Sequence, residues 1–370
     1  MKEKLDAQLF FGVLQQPENF PRLGLKDLEG LVRYARRAGL LANLAERAAA
    51  AEAVPVALKD IFEGAQVYAR EHTRRIEWEM QQLAPLVREF DCPVIVLKGG
   101  AYLGMGLASA RGRLVSDLDL MVPKRDIQLV EAVMLSHAYK EMEKDEYDQH
   151  YYRDWMHELP PMSHVARGTV VDLHHNIAPP VSRLKIDAAQ LFERAVPLRE
   201  DLPFLRLGDE DIVLHLCVHM FHDGLLDNVL RELCDLDALL RRFGEEDTYW
   251  ARLLARAQEL GVMRPLYYGI RFSRLLLDTP VPQEMVKYLD IAAPMQPLRW
   301  VLEGAMRQAI LPVRGERETM LRALSGYLLF LRSHWLRMPP GMLVRHLWTQ
   351  YRRRGGLKTA EQAAARAGDV

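Results

Sequence analysis

Two aspartates, Asp117 and Asp119, have the spacing that places both carboxylates on one face of a short strand. They lie in the apolar segment SDLDLMV, which is followed by a proline and predicts a β-strand. Side chains alternate faces along a strand, so Leu118 and Leu120 are expected to point the other way, into a core. Carboxylates about 6–7 Å apart on one face can each contribute oxygens to a pair of Mg²⁺ ions. Because magnesium combines a few carboxylates with phosphate oxygens, the pattern favours a nucleoside triphosphate as the other ligand.

A glycine pair, Gly99 and Gly100, follows a short apolar, β-branched run and predicts a buried strand that enters a tight turn. Glycines allow the backbone to approach a phosphate closely and to offer N–H donors to it. Ser116 adds a hydroxyl donor next to the paired aspartates. Lys98 and Arg113 have two interpretations: they neutralise triphosphate charge, or they are structural.

A third carboxylate is expected from Asp172, in the predicted strand TVVDLH. Alternation places Val170, Asp172 and His174 on one face of this strand. If the strand lies beside that of Asp117 and Asp119, Asp172 joins them, holds the second metal and accepts the proton of an attacking hydroxyl. His174 then borders the same pocket.

The order of hydrophobic strand, glycine pair, spacer and Asp-x-Asp resembles the DNA polymerase β-like nucleotidyltransferase superfamily. In particular it resembles bacterial, largely uncharacterised nucleotidyltransferases with an LKGG…SDLDL motif. The resemblance covers roughly 60–280 and is strongest at 94–140 and 168–176. It implies transfer of a nucleotidyl group from an NTP with release of pyrophosphate. By position it implies a role in binding divalent metal for Asp117, Asp119 and Asp172, and a role in binding phosphate for Gly99, Gly100 and Ser116.

The elements that must position these residues indicate an α+β fold. Strands interleaved with helices over 86–200 predict a small mixed-sheet nucleotidyltransferase core. Helical periodicity predicts an N-terminal helical region over 1–85 and an all-helical C-terminal domain over 201–370. The spacer between Gly100 and Asp117 has 16 residues (101–116), which is longer than is usual in the superfamily. Either the helix after the glycines is extended, or the region 106–112 loops out.

Three histidines, His215, His219 and His222, fall at i, i+4 and i+7 of one predicted helix, with Asp223 next. One interpretation is the metal-binding stripe of an HD-type phosphohydrolase, with the metal held by His215, His219 and Asp223. The other is a row of half-buried or pocket-lining histidines. We favour the second, because the stripe has no HExxH pattern and no glutamate base between the histidines.

Two further patterns resemble site motifs but predict structural roles. Asp235 and Asp237 repeat the Asp-x-Asp spacing inside a helical pattern, where residues two apart do not face each other. We expect Asp235 to pair with Arg231, one turn back. His157 and His175 match no zinc-site spacing, and His175 is expected to face the core.

Composition excludes several classes of protein. The 370 residues include 49 Lys plus Arg and 50 Asp plus Glu, for a net charge of −1, and 49% are hydrophobic. These values are typical of a globular protein of two or three domains and exclude a disordered chain, a collagen-like chain and a polyanion binder that acts through its whole surface. Three cysteines without a CxxC pair indicate a reducing compartment. With no signal-like segment and no membrane span, we expect the protein to be cytoplasmic.

A basic stretch occupies 331–360, with seven Lys or Arg residues and no acid. It predicts either an RNA- or polyanion-binding surface or, as we favour, a terminal helix that covers the helical domain.

Two hypotheses on function follow. The first is a Mg²⁺-dependent nucleotidyltransferase that transfers NMP from an NTP to a hydroxyl of a small molecule, a protein or an RNA end. The second is a non-catalytic nucleotide-binding module, such as half of a regulatory or toxin–antitoxin pair. The nucleotide base, the acceptor and the oligomeric state stay open.

Overall fold

The computed structural model describes residues 2–142, 149, 151–223, 228–311, 319–345 and 348. Within this part of the chain, helices surround one mixed sheet of seven strands in the order β3-β4-β5-β2-β1-β7-β6. The predicted α+β class, with helices before the sheet and a helical region after it, is confirmed.

The predicted N-terminal helices are present, and their apolar spacing explains which side they bury. In the second of them Leu28, Leu31 and Val32 are buried, while the charged residues between them face solvent. The fourth is long, and Pro85 lies inside its C-terminal part. The four helices are α1 (Lys2–Gln15), α2 (Leu25–Arg37), α3 (Leu41–Ala50) and α4 (Lys59–Glu89).

The centre of the sheet is a parallel pair formed by β2 (Asp117–Met121) and β5 (Val170–His174). The segments around His164 and from Val170 form an antiparallel hairpin, with Gly168 at a φ of +71° between them. On the other side of β2, β1 pairs with it in the antiparallel direction. The remaining strands are β1 (Ile95–Val96), β3 (Tyr139–Glu141), β4 (Met162–His164), β6 (Val196–Pro197) and β7 (Leu205–Arg206).

The glycine pair begins a helix, which corrects the predicted tight turn. Helix α5 (Lys98–Gly104) starts directly after β1, and both glycines lie in its first turn. The helix is short, so the spacer loops out at 106–112, as one of the two alternatives predicted. The amide of Asn43 in α3 holds this loop by donating to the carbonyl oxygens of Ser109 at 3.3 Å and Arg111 at 3.1 Å.

Replacing Gly100 with alanine is expected to lower the free energy of unfolding by about 1–3 kcal/mol. A Cβ at this position would meet Val96 Cγ1 at 2.8 Å and Leu118 Cδ1 at 2.9 Å, and both side chains lie in the core. Gly64 in α4 is the matched control, because a Cβ there meets nothing within 4 Å. The Gly64→Ala variant should gain about 0.5–1 kcal/mol from its better helix propensity. Urea unfolding measures both effects, and equal stabilities of the two variants would contradict the prediction.

Helices dominate the chain after the mixed sheet. Two helices, α6 (Ile127–Ser136) and α7 (Ala189–Glu193), lie between strands of the sheet. The next helix, α8, begins at Asp209 with Gly208 as its N-cap, and a π-helical turn (His219–Asp223) follows it directly. Buried apolar side chains of the helices and the sheet form one contiguous cluster. The further helices are α8 (Asp209–Val218), α9 (Val229–Phe243), α10 (Tyr249–Glu259), α11 (Met263–Leu277), α12 (Gln283–Asp290), α13 (Leu298–Ile310) and α14 (Met320–Arg337).

Part of the basic stretch forms structural contacts. Arg332 donates to the carbonyl oxygen of Phe221 at 2.8 Å, and its guanidinium lies over the ring of Tyr268. Trp335 packs under the guanidinium of Arg183. The basic residues from Arg352 onward lie outside the described residues, so the polyanion interpretation is untested there. None of the helices in the described part is both long and apolar enough to span a membrane.

Candidate active site

The sheet brings the predicted carboxylates together. Residues of β2 and β5 pair in register, with Asp119 directly opposite Asp172 and Asp117 opposite Val170. Paired residues of neighbouring parallel strands project from the same face of a sheet, so the expected adjacency of the two strands is confirmed. Leu118 and Leu120 project from the other face and are buried, as the alternation predicted.

Asp119 is held as a buried anion. Its side chain accepts hydrogen bonds from Lys98 Nζ at 2.7 Å and from His174 Nε2 at 3.0 Å, and the residue is 3% exposed. Burial alone would raise the pKa of this carboxyl, but the Lys98 ammonium and the His174 hydrogen bond outweigh burial and hold the pKa well below its usual range. Asp119 therefore stays ionised at neutral pH.

Lys98 reaches Asp119 from a strained backbone position. It is the first residue of α5 and has a φ of +43°, in the left-handed region that favours glycine. Such a conformation costs a non-glycine residue about 1–3 kcal/mol and persists where the surroundings enforce it. Burial would lower the pKa of Lys98, but Asp119 raises it overall, so the ammonium stays charged.

Among the described residues, Asp172 has no cationic hydrogen-bond donor, in contrast to Asp119, and its buried Oδ1 has no hydrogen-bond partner. Burial and the neighbouring charge of Asp119 raise the pKa of Asp172 to about 7. Two adjacent carboxylates, one with a buried oxygen that lacks a partner, are a donor set that fits a hard divalent cation such as Mg²⁺.

Asp117 and Ser116 lie at the edge of this pocket. Asp117 is half-buried, and the exposed Ser116 donates its hydroxyl proton to Asp117 Oδ1 at 3.2 Å. Both side chains are accessible, which agrees with a role in contacting a ligand that enters from solvent. The site thus combines one buried carboxylate, one nearly buried carboxylate and one accessible carboxylate.

Arg113 is engaged inside the protein. It is 7% exposed, donates to Asp235 in a very close ion pair, and lies over the ring of Tyr102. The expected pairing of Asp235 with Arg231 is therefore wrong, and Arg231 instead donates to the carbonyl oxygen of Leu114 at 3.3 Å. The prediction considered only residues one turn away in the helix. The spacer loop brings Arg113 close to Asp235 from a distant part of the sequence.

Asp235 and Asp237 diverge, as the helical spacing predicted. Both lie in α9, where Asp235 faces the spacer loop through Arg113. Asp237 accepts hydrogen bonds from Arg241 at 2.8 Å and from Thr279 at 2.7 Å. The repeated Asp-x-Asp spacing in a helix therefore holds two separate structural contacts.

Sequence reasoning missed Glu158, whose Oε2 lies 3.3 Å from His174 Nδ1. No motif marks Glu158 in the sequence. The signal that was available is its neighbour His157, which sequence reasoning considered and set aside for lack of a zinc-site spacing. His175 is buried, as expected.

The histidine stripe is split by the π-helical turn. His215 is buried in α8, and its Nδ1 has no hydrogen-bond partner. Burial, with a contribution from the nearby Lys98, holds the pKa of His215 well below its usual range. His219 Nε2 lies 3.3 Å from Glu232 Oε1. Among the described side chains, His215 and His219 do not form a metal-binding group, and the Asp223 side chain lies outside them.

His222 should make stability depend on pH. Burial and the charges of Arg332 and Arg337 lower the pKa of His222 from 6.5 to about 4. The unfolded chain then binds a proton more readily than the folded chain, so stability falls as the pH drops below 6.5. Between pH 7 and pH 5 the His222→Gln variant should lose about 2 kcal/mol less unfolding free energy than the wild type. Urea unfolding at both pH values measures this, and parallel losses would disprove it.

Comparison with known proteins assigns the chain to a family. A family model described as "Uncharacterised nucleotidyltransferase" matches residues 25–278, a range that runs from α2 to α11 and includes the whole sheet. No curated protein matches the chain. The matched range contains the glycine pair, the three aspartates and the helices that pack behind them. Because it spans well over half of the sequence, the chain belongs to this family of uncharacterised nucleotidyltransferases.

Proposed function

We propose that the protein is a Mg²⁺-dependent nucleotidyltransferase that transfers NMP from an NTP to a hydroxyl acceptor and releases pyrophosphate. Membership in the family supports nucleotidyl transfer in general. The observation that carries the finer proposal is the register of Asp119 opposite Asp172, with Asp172 Oδ1 buried and without a hydrogen-bond partner. Carboxylates in such a pair repel each other, and a divalent cation relieves that repulsion.

Asp117, Asp119 and Asp172 are the residues that would hold two Mg²⁺ ions. When bound, Mg²⁺ neutralises charge on the phosphates and orients the reacting oxygens. Asp119 enters this role already ionised, because Lys98 and His174 donate to it. The accessible carboxylate of Asp117 meets the nucleotide from the solvent side.

Asp172 is the group that we assign as general base. Its carboxylate lies opposite Asp119 at the proposed metal site, and its Oδ1 has no hydrogen-bond partner among the described residues, so this oxygen is available to accept the proton of an acceptor hydroxyl. The acceptor hydroxyl gives its proton to Asp172 while its oxygen forms a bond to the α-phosphorus. The bond from the α-phosphorus to the bridging oxygen breaks, and pyrophosphate leaves with that electron pair.

The triphosphate is proposed to lie along the first turn of α5. The first N–H groups of a helix lack intrahelical acceptors, and here they belong to the segment that contains Gly99 and Gly100. Lys98, which is 21% exposed at its side chain, supplies positive charge, and the Ser116 hydroxyl supplies a further donor. Arg113 is committed to Asp235, so we assign it to positioning the spacer rather than to direct phosphate contact.

The test is a screen of ATP, GTP, CTP and UTP for pyrophosphate release with Mg²⁺ and pooled acceptors from cell extract. We expect release with one or more NTPs, labelled NMP on an acceptor, and loss of both when a chelator removes the metal. Fractionating the pool into small molecules, proteins and RNA identifies the acceptor class. Tight NTP binding without turnover under any condition would overturn transfer and favour the non-catalytic binding module.

A further inference from the structure

A mixed group of ligand atoms lies beside the aspartates. His157, Glu158 and His174 each bring one nitrogen or carboxylate oxygen within 4.8 Å of the others, and among the described residues no other His, Cys, Asp and Glu side chains form such a group. His157 Nδ1 is buried and has no hydrogen-bond partner among the described residues, and His174 Nδ1 has the Glu158 carboxylate 3.3 Å away, outside good hydrogen-bond geometry. An imidazole nitrogen is costly to bury unpaired, so the geometry at His157 calls for a further partner.

Backbone contacts hold the three side chains in place. Glu158 forms an isolated antiparallel bridge with His174 at the end of β5. His175 N donates to His157 O at 2.8 Å, and Leu159 N donates to Leu173 O at 2.8 Å. The ligand group thus lies on an extension of the sheet, which is the kind of rigid support that a preorganised metal site needs.

The surroundings favour a cation. The Asp119 carboxylate lies 3.0 Å from His174 Nε2, Glu158 lies 3.3 Å from His174 Nδ1, and Asp172 lies opposite Asp119 in the neighbouring strand, so three carboxylates surround this ring. Lys98 supplies one positive charge against them. A divalent ion between the two histidines and Glu158 would compensate part of the remaining negative charge.

We propose that His157, Glu158 and His174 bind a divalent transition-metal ion of the zinc class, at a site distinct from the three aspartates. Two imidazoles and one carboxylate match the ligand preference of Zn²⁺, and a set of three protein ligands leaves a coordination position open. The far nitrogen of His174, Nε2, donates to Asp119 at 3.0 Å. Histidines that bind metal commonly donate their other N–H to a carboxylate, which fixes the ring and its tautomer.

The site couples to the aspartates through one ring. With a metal at Nδ1, His174 carries its proton at Nε2 and holds Asp119 in place. Asp119 is therefore a positioning residue for the histidine as well as a carboxylate of the catalytic set. None of the proposed magnesium ligands is a ligand of this second site, although Asp119 orients His174, so the two proposals can fail separately.

The test uses the full-length chain stripped of metal and titrated with Zn²⁺ by calorimetry and with Co²⁺ by visible absorption, in excess Mg²⁺ and without nucleotide. We expect about one ion per chain and the absorption bands of a low-coordinate Co²⁺ complex with nitrogen ligands. His157→Ala and Glu158→Gln should each lower the affinity by at least about 10²-fold, and Asp119→Asn by about 10–100-fold. Urea unfolding of each variant shows that it is folded.

Matched controls separate this site from its neighbours. His215→Gln removes another buried histidine near Lys98 and should keep both the Co²⁺ spectrum and the Zn²⁺ affinity. Asp172→Asn removes a neighbouring carboxylate of the magnesium set and should keep the Co²⁺ spectrum, because that spectrum depends on the ligand atoms. Stoichiometry far below one ion per chain, or unchanged affinity in both His157→Ala and Glu158→Gln, would overturn the proposal. His174 would then be an imidazolium held between Asp119 and Glu158. The nucleotidyl-transfer proposal would be unaffected, because the screen for pyrophosphate release tests it separately.

Discussion

The Asp117→Asn variant is expected to lose nucleotidyl transfer by about 10³-fold while its fold stays intact. Asparagine keeps the shape of the side chain but removes the charge that a divalent cation and the triphosphate would meet. Asp117 is half-buried, and its one described side-chain hydrogen bond is to the exposed Ser116, so stability should change by no more than about 0.5 kcal/mol. Labelled NMP transfer and urea unfolding measure the two quantities.

Asp117 tests catalysis more cleanly than Asp119 does. Asp119 neutralises Lys98 and accepts from His174 inside the protein, so its replacement leaves a buried cation unpaired and confounds activity with stability. Asp126, beyond the other end of β2, is the matched control, because its carboxylate pairs with the exposed Arg125. Asp126→Asn should keep the wild-type rate. A folded Asp117→Asn variant that also kept that rate would remove Asp117 from the metal-binding set.

Local pattern was sufficient for the strand that carries the aspartates. From Asp117 to Leu120 acidic and apolar residues alternate, and burying Leu118 and Leu120 on one face places Asp117 and Asp119 on the other. The same reasoning failed at the glycine pair, since glycine serves both turns and close packing. A helix starts there, and Gly100 lies against Val96 and Leu118, a contact that depends on the tertiary arrangement.

Contacts between residues far apart in the sequence could not be predicted from local sequence patterns. Arg113 and Asp235 are 122 residues apart, and neither position shows any periodicity that points to the other. Residues 157–159 run antiparallel to the end of β5, and this pairing brings Glu158 next to His174. No sequence motif indicates this pairing. The histidine stripe assumed one regular helix, whereas the π-helical turn at His219–Asp223 changes its register after His215.

The Arg113→Ala variant is expected to lose about 3–5 kcal/mol of unfolding free energy. Arg113 and Asp235 are both buried, and their ion pair joins the spacer loop to α9. Burial raises the pKa of Asp235, although the Arg113 charge opposes this, so removing the guanidinium leaves a carboxyl that is costly to keep ionised. Urea unfolding measures the loss.

An exposed ion pair supplies the control for this effect. Arg33 lies 3.4 Å from Glu29 in α2, and both side chains are more than half exposed. Arg33→Ala should therefore cost less than about 1 kcal/mol. Similar losses of unfolding free energy for Arg33→Ala and Arg113→Ala would show that the buried ion pair stabilises the fold no more than the exposed one does.

The double variant Arg113→Met with Asp235→Leu decides between the two interpretations of Arg113. Replacing both members of a buried pair with apolar side chains often restores stability, so this variant should regain most of what Arg113→Ala loses. If Arg113 only positions the spacer loop, the restored protein keeps its KM for the NTP. If the guanidinium instead neutralises triphosphate charge, the fold returns but the KM rises by about 10-fold or more, because a charge-assisted contact worth about 1.5–3 kcal/mol is lost. The buried contact with Asp235 leads us to expect the first result, and the second would return Arg113 to the phosphate-binding set.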